Sequence, residues 1–94
     1  MRVVVAPEAH DDLRNILEWI GRHQPAAAVE QVDRVLTAID GLREFPMMGK
    51  PGRVEGTREF VVTGTPFIVA YEVRDALLAV LRVRHGRQRW PMRI

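Results

Sequence analysis

The chain has 94 residues, no cysteine, no serine, a charged fraction of 28% and a formal net charge of +2. That length fits one domain with one modest core, burying roughly 60–65% of the surface the unfolded chain exposes. Disulfides, thiolate metal sites and cysteine or serine nucleophiles are excluded by composition alone.

Other functions fall away on spacing. His10, His23 and His85 stand apart from one another and from acid clusters, so neither a structural zinc site nor a metal-dependent hydrolase is expected. The glycines of GKPGRVEG (residues 49–56) lack the Lys-Ser/Thr ending and following helix of a phosphate-binding loop, and no cofactor is expected. Residues 1–6 hold too short an apolar run for a signal peptide, and ALLAVL (76–81) is far below membrane-spanning length. A cytoplasmic protein without membrane association is the expectation. Charge becomes informative only when split: residues 1–49 carry −3 and residues 50–94 carry +5. Thirteen of the fourteen basic residues are arginine, whose planar fork suits phosphate and carboxylate alike.

RVVVA (2–6) has the pattern of a short strand buried on both faces. Pro7 stops it and, with Glu8, opens a helix to about residue 22, whose Leu13, Ile16, Leu17 and Ile20 form an apolar stripe. Trp19 borders that stripe and reads as a half-buried residue at the core edge, with a partner anchor as the alternative. Gly21 to Pro25 interrupts the pattern. A second amphipathic helix, antiparallel to the first, follows from Ala26 to about Phe45, with Ala28, Val32, Val35, Leu36, Ile39 and Leu42 inward. Gly41 within it predicts close packing or fraying, and Pro46 ends it.

PMMGKPG (46–52) is a loop in which Met47 and Met48 are expected to close the end of the core. Three runs with strand character come next: REFVV (58–62), FIVAYEV (67–73) and LLAVLRVRH (77–85). The short separators GTP (64–66) and RDA (74–76) imply tight hairpins and an antiparallel meander. A helical hairpin and a sheet must bury their apolar sides on each other, which gives a two-layer α+β domain over residues 1–94.

Alternation along the last run places Leu77, Ala79, Leu81, Val83 and His85 on one face and Leu78, Val80, Arg82 and Arg84 on the other. With the first set on the helices, Arg82 and Arg84 emerge on the open face of the sheet. His85 closes the strand at its rim, and Gly86 turns the chain to expose Arg87, Arg89 and Trp90. Arg58, at the head of the second run, reaches the same face. Such a basic surface with an aromatic fits a nucleic-acid partner or an acidic protein segment. Trp90 also reads as a plug over the sheet edge.

The order strand, helical hairpin, meander, with FPMMGKPGRVEGTREFVVTGTPFIVAYEV and RVRHGRQRWP in succession, resembles the RelE/ParE superfamily of type II toxins. The marks are the proline-glycine loop before Arg53, the Gly56-Thr57-Arg58-Glu59 segment, Tyr71 in the third run, and His85-Gly86 followed by Arg87 and Trp90. The resemblance implies a growth-inhibiting toxin neutralised by a cognate antitoxin lying along helices and sheet, with Arg82, Arg84, Arg87, Arg89 and Trp90 as binding residues. RelE-like members cleave messenger RNA on the ribosome. In that case His85 would exchange the proton while Arg58, Arg82 or Arg84 held the phosphate. RelE-like nucleases also place an arginine shortly before the tyrosine of the third run, where this chain has Phe67, Ile68, Val69 and Ala70. Those apolar residues resemble the ParE-like branch, whose members poison DNA gyrase without a recognised catalytic centre. An inactive antitoxin-binding partner is a further alternative.

Overall fold

A computed structural model describes residues 1–88 of the chain. Strand β1 (Arg2–Val5) leads into helix α1 (Pro7–Gly21), and a turn over residues 22–24 returns the chain through helix α2 (Pro25–Glu44). A two-residue strand β2 (Lys50–Pro51) precedes β3 (Arg58–Val61), β4 (Phe67–Arg74) and β5 (Leu77–His85). The five strands form one sheet in the order β1-β5-β4-β3-β2, with β1 parallel to β5 and the remaining pairs antiparallel. The expected two-layer α+β arrangement is the one observed, with β2 as an addition.

Pro7 sits in the first turn of α1, where its missing N–H costs no helical hydrogen bond, and Pro25 does the same for α2. The helices pack on one face of the sheet. Ala9 of α1 and Val35, Ile39 and Leu42 of α2 meet Phe67, Val69, Tyr71, Leu78, Val80 and Val83 in a single core. Leu13, Ile16 and Ile20 are partly buried against it, while Leu17 and Leu36, on the flanks of their stripes, are exposed. In the β4–β5 hairpin Asp75 takes the left-handed conformation (φ 56°), a conformation that aspartate tolerates better than most side chains.

The face assignment along β5 holds for one half of the strand and reverses in the other. Val83 pairs with Val69 and His85 with Phe67 on the helix side, and Arg82 and Arg84 pair with Ala70 and Ile68 on the far side, as alternation predicts. Leu78 and Val80, however, are fully buried in the core, and Leu77 and Ala79 lie on the far face. A β-bulge causes the reversal. The register shifts between Ala70 and Tyr71, so that Leu81 is an extra residue in β5 and every side chain before it changes face.

Four other expectations are corrected. β1 is an edge strand with Val5 exposed, not a strand buried on both faces; among the described residues β5 is its sole neighbour in the sheet. Trp19 is 70% exposed instead of half-buried, since it lies off the Ala9–Leu13–Ile16–Ile20 stripe. Met47 and Met48 are exposed and do not close the core, whose largest fully buried side chains are Tyr71 and Leu42. A methyl group at Gly41 would meet nothing within 4 Å, and α2 continues past it to Glu44, so the glycine marks neither close packing nor fraying.

Candidate functional site

Among the described residues no strand lies beside the outer side of β5 beyond Val80, because the chain leaves β1 for α1 at Ala6, whose N–H donates to Val80 O (2.8 Å). Asp12, in the second turn of α1, occupies that position. Its Oδ2 accepts the Val83 N–H (2.9 Å) and the Arg82 Nε–H (2.7 Å), and its Oδ1 accepts a second guanidinium hydrogen from Nη2 (2.9 Å). The two side chains are only 21% and 14% exposed. Hydrogen bonding to Asp12 is the main reason the Arg82 guanidinium holds its proton even more firmly than usual. Arg82 therefore starts on the far face of the sheet and is committed to tying α1 to β5.

His85 lies on the helix side, edge-on to Phe67 with ring centroids 5.9 Å apart and planes at 89°. Its Nδ1 accepts the Arg87 N–H (3.0 Å), and its own backbone N–H donates to Gln88 Oε1 (2.7 Å). The ring is thus part of the turn that ends β5. It also borders a groove between α1 and β5 whose lining includes Ile16, Trp19, Val83 and Gln88. Arg84 pairs with Ile68 on the opposite face, and Arg87 is exposed after the strand. Arg89 and Trp90 lie outside the described residues.

Arg58 heads β3 opposite Tyr71, at the other end of the sheet from His85, and so lies on the helix-side face and not on the open face expected for it with Arg82 and Arg84. Its Nη1 donates to the carbonyls of Gly49 and Met47. Tyr71 is fully buried; its hydroxyl accepts the Gly49 N–H (2.9 Å) and donates to Pro46 O (2.7 Å). Burial, the largest influence, raises the phenol pKa, against lowering by the Gly49 N–H and the nearby Arg58 charge. Together the two side chains hold four backbone groups of the loop after α2. Gly49 is required there, since a Cβ would come within 2.5 Å of the Tyr71 hydroxyl and 3.0 Å of Glu59 O. Glu59, buried on the far face, accepts the Arg53 N–H (2.7 Å) and fixes the next part of the same loop. Sequence reading named Arg58 but missed this use of Tyr71, Gly49 and Glu59; the buried tyrosine beside a glycine-rich loop was the available signal.

The residues nominated for RNA cleavage do not converge. His85 pairs with Phe67 and Arg58 with Tyr71, four positions apart along β4 and on opposite sides of it. At about 3.3 Å per residue and about 4.8 Å per strand, their backbones are roughly 16 Å apart. Arg84 faces away from His85, and Arg82 is bound to Asp12. A general acid and a phosphate clamp must both reach one phosphate within hydrogen-bonding distance. Among the described residues no group of three or more metal-ligating side chains occurs, and no helix is long and apolar enough to cross a membrane.

Comparison with known proteins agrees with the fold. The ParDE toxin–antitoxin system from P. aeruginosa superposes with a TM-score of 0.83 at 22% identity, over 90% of this chain and 95% of that one. A YoeB/ParE toxin from Agrobacterium tumefaciens gives 0.63 at 19% identity, over 90% of this chain and 98% of its own. In sequence, Y4kP of Sinorhizobium fredii is 41% identical over 84% of this chain and 81% of its own length. Toxin RelE2 of Caulobacter vibrioides is 37% identical over 90% of this chain and 94% of its own. Residues 3–90 match the family described as the ParE toxin of the type II toxin–antitoxin system parDE. With that match spanning the helical hairpin and all five strands, the chain belongs to the ParE toxin family, and a cognate antitoxin is its implied partner.

Proposed function

We propose that this toxin arrests growth by binding and poisoning DNA gyrase, without a catalytic centre of its own. The observation that supports the reading is the dispersal of His85, Arg58, Arg82 and Arg84: His85 and Arg58 share a face but lie on β5 and β3 with β4 between them, Arg82 and Arg84 start on the other face, and Arg58 and Arg82 are engaged in holding the fold. A toxin that works by docking requires a stable surface and no assembled acid–base pair. The basic stretch running from Arg82 through Arg84, Arg87 and Arg89 to Trp90 in the sequence is the proposed seat of the antitoxin. Arginine forks there match the carboxylates of an acidic segment.

The alternative is ribosome-dependent cleavage of messenger RNA, favoured by the RelE name carried by two relatives. Supercoiling by gyrase and primer extension on translated mRNA, run side by side with the purified toxin, separate the two. Inhibited supercoiling with intact mRNA is expected. Cleavage within codons with supercoiling untouched would reject gyrase as the target.

A further inference from the structure

The end of α2 and the loop after it display Phe45, Met47 and Met48 at 62%, 63% and 50% exposure. Val61, on the β3 edge, is 55% exposed, and the register that pairs Lys50 with Glu59, continued by two residues, brings Met48 toward it. Large apolar side chains in adjacent positions are unfavourable in water unless something covers them. Their backbone is not left loose. Tyr71 and Arg58 hold Pro46 O, Met47 O and both polar groups of Gly49, so the ridge is presented in a fixed shape. A rigid ridge loses little conformational entropy on docking, which is a property of binding elements.

The geometry points to this ridge as the surface that docks into an apolar cleft on the toxin's protein target, an inference that rests on the reading of the toxin as a protein poison. Charge argues for that occupant. The charged residues beside the ridge, Asp40, Arg43, Glu44, Lys50 and Arg58, sum to only +1, with Arg43 3.8 Å from Asp40 and Arg58 turned onto the Met47 and Gly49 carbonyls. A phosphate backbone needs an excess of cations that this end of the molecule lacks, and an acidic peptide gains nothing from it either. Area argues the same way. Two methionines, a phenylalanine and a valine at these exposures offer about 400 Å², half of the roughly 800 Å² that each partner buries in a standard interface.

The experiment uses the full chain, purified with its cognate antitoxin and then released from it, as wild type and as Met47→Ser/Met48→Ser. Both side chains point into solvent, so the melting curve serves as a check that the fold is retained. We expect at least a tenfold loss of potency in supercoiling inhibition and in growth arrest, the consequence of removing interface anchors, with antitoxin affinity within twofold of wild type. Unchanged potency overturns the inference. Parallel loss of antitoxin affinity overturns it too and assigns the ridge to the antitoxin, while a change from dimer to monomer in sedimentation assigns it to a second copy of the chain. Should the double substitution unfold the chain, Phe45→Ser alone decides on the same criteria. The gyrase reading fails separately, if wild-type toxin leaves supercoiling intact. In that event the inference stands only where the double variant loses growth arrest while keeping its antitoxin.

Discussion

Replacing Asp12 with alanine removes the acceptor of three hydrogen bonds that join α1 to the last strand at its bulge. Two come from Arg82 at 2.7 and 2.9 Å and one from the Val83 N–H at 2.9 Å. A hydrogen bond to a charged group contributes about 1.5–3 kcal/mol, and breaking a well-buried ion pair costs about 3–5 kcal/mol. The pair here is part-buried, so solvent recovers some of that cost for Arg82, although Val83 N–H gains less. A loss of about 2–4 kcal/mol follows, a large share of the roughly 5–14 kcal/mol expected for a chain of this size. Urea titration followed by far-ultraviolet circular dichroism measures it, with thermal melting expected to shift down by about 10–20 °C. Asp12→Asn, which keeps an acceptor but not the charge, should lose about half as much. In a double-mutant cycle Asp12→Ala and Arg82→Met should be strongly coupled. A loss below about 0.5 kcal/mol in Asp12→Ala, or additive behaviour, would show that Arg82 is not held by this contact and would return it to the pool of residues free for a partner.

Further predictions concern the loop clamp, two glycines and His85. Tyr71→Phe should cost about 1–3 kcal/mol, because Gly49 N–H and Pro46 O lose a buried partner. Since burial raises the Tyr71 pKa, the folded state keeps its proton where the unfolded chain releases it. The stability this contributes is complete below about pH 10 and is lost as pH rises through the folded value. Denaturant midpoints measured at increasing alkalinity should therefore fall more steeply for wild type than for Tyr71→Phe; equal slopes would contradict the buried phenol. Gly41→Ala should stabilise by about 0.5–1 kcal/mol in an open helical position, whereas Gly49→Ala should destabilise by more than about 2 kcal/mol through its collision with Tyr71. His85→Ala should leave growth arrest nearly unchanged at equal expression, whereas a ribonuclease using it as acid or base would lose about 100-fold or more in rate.

Much of the fold was legible because local rules and global packing agree. Pro7 and Pro25 open the helices, the stripes Leu13–Ile16–Ile20 and Val35–Ile39–Leu42 face the sheet, and two short hairpins generate the meander. The bulge at Leu81 was not legible. An inserted residue in a run of uniformly apolar side chains leaves no break in the pattern, yet it decides which half of β5 faces the core. β2 escaped notice because two residues carry no periodicity and one of them is proline, tolerated here on a sheet edge. Composition identified the arginines of β5 but could not separate one anchored by Asp12, seventy positions away in sequence, from one on the far face. Exposure of Met47 and Met48 likewise depends on Tyr71 reaching the loop from the middle of the sheet, a contact that no local pattern encodes.

The most direct measurement is DNA supercoiling by purified gyrase with increasing amounts of the released toxin. Dose-dependent inhibition, reversed by adding antitoxin and unaltered by His85→Ala, is the predicted result. Full supercoiling at toxin concentrations that cleave ribosome-bound mRNA would contradict it.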